Sequence, residues 1–135
     1  MKYQISGSSD AHGKAVFSVR ENETFFGIVA NKNQLPNPAE LLLGAFAACC
    51  LKNIERFSNL LKFDYENAQI EVVGERQDAP PKMKAIRYTI QIKSQDERLN
   101  VALLHKNIQK YGTIYNTLKE TCEISGEAKI FKDYV

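Results

Sequence analysis

The chain has 135 residues, 44% of them hydrophobic, which suits one compact domain, residues 1–135, around a single core. Eighteen basic residues against sixteen acidic ones leave a formal charge of +2, and no run of lysine or arginine is dense enough to track phosphates, so nucleic acid is not an expected partner. The longest apolar run, Leu41 to Leu51, is broken by Gly44 and ends at Lys52, short of the roughly 18 residues a transmembrane helix needs, so no membrane span is expected.

The N-terminal stretch, MKYQISGSSDAHGK, lacks the apolar region of a signal peptide, which leads to the expectation of a cytoplasmic protein. Three strands are predicted next, Lys2 to Ser6, Lys14 to Arg20 and Thr24 to Ala30. The turn-compatible clusters Gly7-Ser8-Ser9-Asp10 and Glu21-Asn22-Glu23 would join them as consecutive hairpins.

At Asn37 the period changes. Asn37 is a candidate N-cap, Pro38 suits the first helical position, and Glu40 completes capping-box spacing. The helix that starts there runs to about Lys62, a length of about 37 Å at 1.5 Å per residue, and is the central element. A strand from Asn67 to Glu75 follows, then a loop through Asp78-Ala79-Pro80-Pro81 and a strand from Met83 to Lys93. In that strand Ile86, Tyr88, Ile90 and Ile92 alternate with Arg87, Thr89, Gln91 and Lys93.

From Asp96 the helical period returns, carried by Val101, Leu104, Ile108 and Tyr111, and Gly112 reads as the residue that stops that helix. A short helix from Thr113 to Lys119 and a strand from Glu123 to Phe131 complete the order βββ-α-ββ-αα-β, an α+β chain.

Three cysteines, two of them adjacent, suit a reducing compartment better than a disulfide framework. The C-C pair lacks the C-x-x-C spacing of zinc ligands and only His12 and His105 would add imidazoles, so no metal or other cofactor is expected. Adjacent helical residues point about 100° apart, so Cys49 and Cys50 face different surroundings. Cys50 shares an apolar row with Leu43, Ala47, Ile54, Phe57 and Leu61 and reads as packing. Cys49 shares its face with Leu42, Ala45 and Phe46, then with Asn53 and Arg56, and so lies on a seam between apolar and polar surface. Arg56, about 10 Å further along the axis, would favour the thiolate by folding back. The competing reading is that both cysteines are small core hydrophobes, that Glu40 only closes the capping box, and that His12 and His105 are exposed.

The stretch NPAELLLGAFAACC, residues 37–50, resembles the OsmC/Ohr family, in which a proline, an acidic residue and a leucine-rich turn precede Ala-Ala-Cys. GTIYNTL, residues 112–118, is similar to the family's second motif, C-x-V-x-x-T-L, and the order of elements agrees over nearly the whole chain. The resemblance implies a long central helix packed on antiparallel sheet within an intertwined homodimer, with active sites at the subunit interface. It also implies reduction of organic hydroperoxides by a peroxidatic cysteine, at the position of Cys49, which a second cysteine resolves before a thiol reductant recycles the disulfide.

The chain departs from that pattern in two places. Gly112 stands where the second cysteine belongs, leaving Cys122 or an external thiol reductant as resolver. The family's activating arginine would fall near Ala11-His12-Gly13, where His12 is present and Arg20 follows one strand later; the acidic partner matches Ala39 in one branch and Glu40 in another. Three readings stay open on these grounds. One is a thiol peroxidase using Cys49, one a non-catalytic protein binding an apolar small molecule at the dimer interface, and one a structural or interaction role.

Overall fold

A computed structural model describes residues 1–30 and 34–132. The chain forms two compact units, Met1–Leu42 and Leu43–Val135, with the boundary inside the long helix.

The first unit is an antiparallel meander of β1 (Ser6–Ser9), β2 (Ala15–Val19) and β3 (Asn22–Phe26). Both outer strands differ from expectation. β1 occupies Gly7-Ser8-Ser9, predicted as a turn, and pairs Ser6 with Ser18 through Ser9 with Ala15. β3 begins at Asn22 and ends at Phe26, four residues before the predicted Ala30. The cause lies in the turn between β2 and β3. Arg20 and Glu21 both hold positive φ, 49° and 70°, and close a two-residue hairpin with Val19 opposite Asn22. Hairpins of that kind favour Asn and Gly at the two positions, so Arg-Glu carries no turn signal.

The helix α1 (Pro38–Leu61) starts as the capping box predicts: the Glu40 N–H donates to Asn37 Oδ1 at 2.8 Å, and the Asn37 N–H donates to Glu40 Oε1 at 3.0 Å. It ends at Lys62, whose φ of 57° lets the Phe63 N–H reach back to the Ser58 carbonyl at 3.0 Å. That six-to-one closure ties off a helix end.

The second unit holds most of α1 and a sheet of β4 (Asn67–Asp78), β5 (Pro81–Lys93) and β6 (Glu123–Phe131). β4 and β5 form a long antiparallel hairpin that takes in both ends of the predicted 78–81 loop and leaves Ala79-Pro80 as the turn, with a register shift at Glu75/Arg76. β5 and β6 run parallel, so this sheet is mixed instead of antiparallel throughout. The crossover between them consists of α2 (Val101–Tyr111) and α3 (Thr113–Leu118). α2 begins at Val101, later than the predicted Asp96, because Asn100 caps it, accepting the Leu103 N–H at 3.1 Å.

The alternation read in β5 holds: Ile86, Ile90 and Ile92 are wholly buried. Each such side chain contributes about 1.5–3 kcal/mol on leaving water. They join Phe46, Cys50, Ile54, Phe57, Leu104 and Ile108 in one core. Two glycines permit close layers there. A Cβ on Gly74 would fall 2.9 Å from Leu43 Cδ2 of α1, and a Cβ on Gly126 would fall 2.5 Å from ring atoms of Tyr88. The Tyr88 ring lies across β6 only because Gly126 has no side chain.

Candidate functional site

The three cysteines are free thiols in three surroundings. Cys50 is wholly buried. Desolvation, with a smaller contribution from the neighbouring Cys49, pushes its thiol up to about 12. Cys122, after α3, is buried in the same core, and its Sγ donates to the Leu118 carbonyl oxygen at 3.2 Å.

Cys49 is half-buried, and two neighbours define its sulfur. On its own helix, one turn along, the Asn53 amide donates to the Cys49 carbonyl oxygen at 2.8 Å and lies 3.7 Å from the Cys49 Sγ. From the junction of α2 and α3 comes Gly112. A Cβ placed there would sit 3.2 Å from Cys49 Sγ, 3.1 Å from Tyr115 Cβ and 2.9 Å from the Ile108 carbonyl oxygen. The fold therefore brings residue 112 against residue 49, though 63 positions separate them in sequence. Within a disulfide the Cβ of one half lies about 3 Å from the sulfur of the other, given an S–S bond near 2.04 Å, so position 112 is where a resolving cysteine would stand.

Gly112 stops α2 as expected, without the left-handed conformation that a glycine stop often has. Its φ is −72° and ψ 119°, extended backbone open to any residue, and it ends α2 while capping α3. A side chain there would be crowded by three groups, so the backbone at Ile108 would have to give way slightly to admit one.

Beneath Cys50 an aromatic cluster lines the core. Phe46 packs on Tyr88 at 5.5 Å and on Tyr115 at 5.8 Å between ring centroids. Tyr88 shares a 2.5 Å hydrogen bond with His105 Nε2, and Gln109 Nε2 donates to its hydroxyl at 3.4 Å. Burial pushes the Tyr88 phenol up and His105 down, so both are neutral near pH 7. His105, expected to be exposed, is thus half-buried and hydrogen-bonded. Phe46, which the sequence places on the Cys49 face, is wholly buried beside Cys50.

The other candidates have surroundings of their own. Arg56 holds its guanidinium over the Phe57 ring, 5.3 Å from the centroid. Glu40 accepts the N-cap hydrogen bond. His12 and Arg20 occupy exposed positive-φ turns of the first unit. A cleft of about 430 Å³ in that unit is lined by His12, Lys14, Phe25, Phe26, Ile28 and Leu35 among others. Among the described residues no group of three or more His, Cys, Asp or Glu side chains is placed to hold a metal, and no helix is long and apolar enough to cross a membrane. Asn53 is the residue that sequence reasoning underrates: its polarity on the Cys49 face suggests solvent, whereas it is only 8% exposed.

Solved structures of similar fold are numerous. An OsmC-like protein from Mycoplasma pneumoniae superposes with a TM-score of 0.86 at 16% identity, covering 96% of this chain and 97% of that one. An organic hydroperoxide resistance protein from Legionella pneumophila gives 0.68 at 13%, covering 96% of each chain. The organic hydroperoxide resistance protein OhrB of Bacillus subtilis gives 0.64 at 12%, covering 95% and 98%. No curated protein sequence matches the chain. The model of the OsmC-like protein family matches residues 31–127, and with that match spanning most of its length the chain belongs to the OsmC-like family.

Proposed function

We propose that this protein reduces organic hydroperoxides through Cys49 alone, in a one-cysteine cycle completed by an external thiol. The observation that carries the reading is the contact between Cys49 Sγ and position 112, where the residue facing the sulfur is a glycine. The Cys49 thiolate attacks one oxygen of the hydroperoxide O–O bond; the bond breaks, the sulfur becomes a sulfenic acid and the alkoxide takes a proton from water to leave as an alcohol. A first external thiol then condenses with the sulfenic acid, releasing water and forming a mixed disulfide. A second thiol attacks that disulfide, restoring the Cys49 thiol and leaving as the oxidised thiol.

The protein works as a homodimer in this reading. Leu60, 60% exposed on α1, and the exposed Val73, Leu103 and Tyr111 leave apolar surface on the second unit that a partner copy would cover. Turnover of an organic hydroperoxide with a small thiol tests the cycle. Activity should vanish in Cys49→Ser and persist in Cys122→Ser. Loss in Cys122→Ser would transfer the resolving role to Cys122 and overturn the one-cysteine cycle.

A second reading, an apolar-ligand binder that does no chemistry, draws support from the cleft lined by Phe25, Phe26, Ile28 and Leu35. Saturable binding of an apolar probe, unaffected by Cys49→Ser in a protein without turnover, would favour it.

A further inference from the structure

We propose that Asn53 positions the Cys49 sulfur, one amide N–H held by the Cys49 carbonyl oxygen and the other offered to the sulfur itself. The inference rests on Cys49 being the reacting thiol.

Asn53 is hard to explain as packing. It lies well inside α1, between Cys50, Ile54 and Phe57 of the buried row, and only 8% of it is exposed. Asparagine is a weaker helix former than leucine, and back-bonding to the carbonyl four residues earlier competes with the helix's own ladder. A leucine there would suit both the helix and the apolar core better. What asparagine adds is a fixed pair of donors. The 2.8 Å bond to the Cys49 carbonyl fixes the amide, and the same nitrogen lies 3.7 Å from the sulfur, within reach of a large, diffuse anion.

Among the described residues of the second unit, the neighbours of Cys49 leave that task to Asn53. Cys50, on the same helix, is a neutral thiol. Arg56 lies over the Phe57 ring. At the α2–α3 junction the Gly112 N–H is already bonded to the Ile108 carbonyl at 3.0 Å. Tyr115 of α3, packed beside Gly112, offers its Cβ on that side. Within the described residues of the second unit a neutral amide faces the sulfur, where a conventional reactive-cysteine site uses a cation.

The test uses Asn53→Leu, which keeps the branched outline in a somewhat larger side chain and removes both donors, and Asn53→Asp, which keeps the shape and replaces them with acceptors. Site-resolved alkylation of Cys49 as a function of pH is the main readout, with hydroperoxide rate constants beside it. Loss of a charge-assisted hydrogen bond should slow the hydroperoxide reaction about tenfold in Asn53→Leu and more in Asn53→Asp. The pH at which Cys49 alkylation reaches half its plateau should rise in both, and further in Asn53→Asp. A folded Asn53→Leu protein with unchanged midpoint and rate would overturn the proposal and leave Asn53 as a helix hydrogen bond only.

If both variants fail to fold, the side-chain amide resonances of Asn53 in the ¹⁵N-labelled natural protein decide. They should titrate with the Cys49 alkylation midpoint, and their failure to do so would sink the idea. Alkylation does not depend on peroxide chemistry. A protein inert to hydroperoxide whose Cys49 midpoint still moves with Asn53 would contradict the proposed function and sustain the positioning role.

Discussion

The two flanks of α1 carry adjacent cysteines and treat them oppositely. On the Cys50 flank, Phe46, Cys50 and Ile54 are wholly buried against β5 and α2, and the thiol is held neutral by lack of water. On the Cys49 flank the residue is half-buried, an amide faces its sulfur, and the chain opposite has no side chain. A single step of about 100° around the helix separates a wholly buried cysteine from a half-buried one beside an amide donor, and the proposed chemistry rests on that difference.

The sharpest break of that contrast would be equal reactivity. In the native protein Cys49 should be alkylated by iodoacetamide more than tenfold faster than Cys50, read by peptide mapping after short exposure. Equal rates, or a faster Cys50, would contradict the division. The next largest effect belongs to the buried side. Gly126→Ala drives a methyl into the Tyr88 ring, where the available gap is 2.5 Å. Overpacking of that kind costs about 1–3 kcal/mol, measurable as a lowered denaturant midpoint.

A smaller effect separates the flanks by pH. The folded Cys50 thiol titrates near 12 against an ordinary 9.0. Between those values the unfolded thiol has lost its proton and the folded one keeps it, so stability present below pH 9 is lost as pH rises toward 12. Cys50→Ala should flatten that decline by up to about 1.4 kcal/mol per pH unit. The remaining slope reports Tyr88 among others, whose phenol is raised by burial and acts with the same sign. Smallest is the cap: Asn37→Ala should cost about 1 kcal/mol of stability and leave the alkylation contrast intact.

Much of this contrast was legible in the amino-acid order. The 3.6-residue period separates Cys49 from Cys50, the Asn37-Pro38-Glu40 signature marks where α1 begins, and the alternation of Ile86, Tyr88, Ile90 and Ile92 marks the core face of β5. Each signal is local, and the two periodic ones repeat over several turns or pleats.

What escaped was either short or long-range. The meander has exposed strands and a hairpin turn made by Arg20 and Glu21, residues with no preference for positive φ, so nothing local fixed its register. The parallel pairing of β6 on β5 depends on the α2–α3 crossover, which no period within either strand encodes. At the site, Gly112 invites a left-handed cap because glycine so often serves one, whereas here its backbone is extended and Cys49, Tyr115 and Ile108 crowd the place of a side chain. Asn53 is visible at i+4 from Cys49. Its polarity suggests solvent, when its amide is turned inward to the backbone and the sulfur.

The most direct test of the account is to oxidise the natural protein with one equivalent of organic hydroperoxide, without and with dimedone, and map the products without reduction beside Gly112→Cys. The account predicts a dimedone adduct on Cys49 alone and no intramolecular disulfide in the natural chain, since vicinal helical cysteines cannot close an S–S bond without unwinding the turn. In the variant it predicts a bridge between Cys49 and the introduced cysteine, whose Cβ lies 3.2 Å from the sulfur once the backbone yields slightly at Ile108. A natural protein that instead forms a Cys49–Cys122 bridge, or whose adduct falls on Cys50, would contradict it.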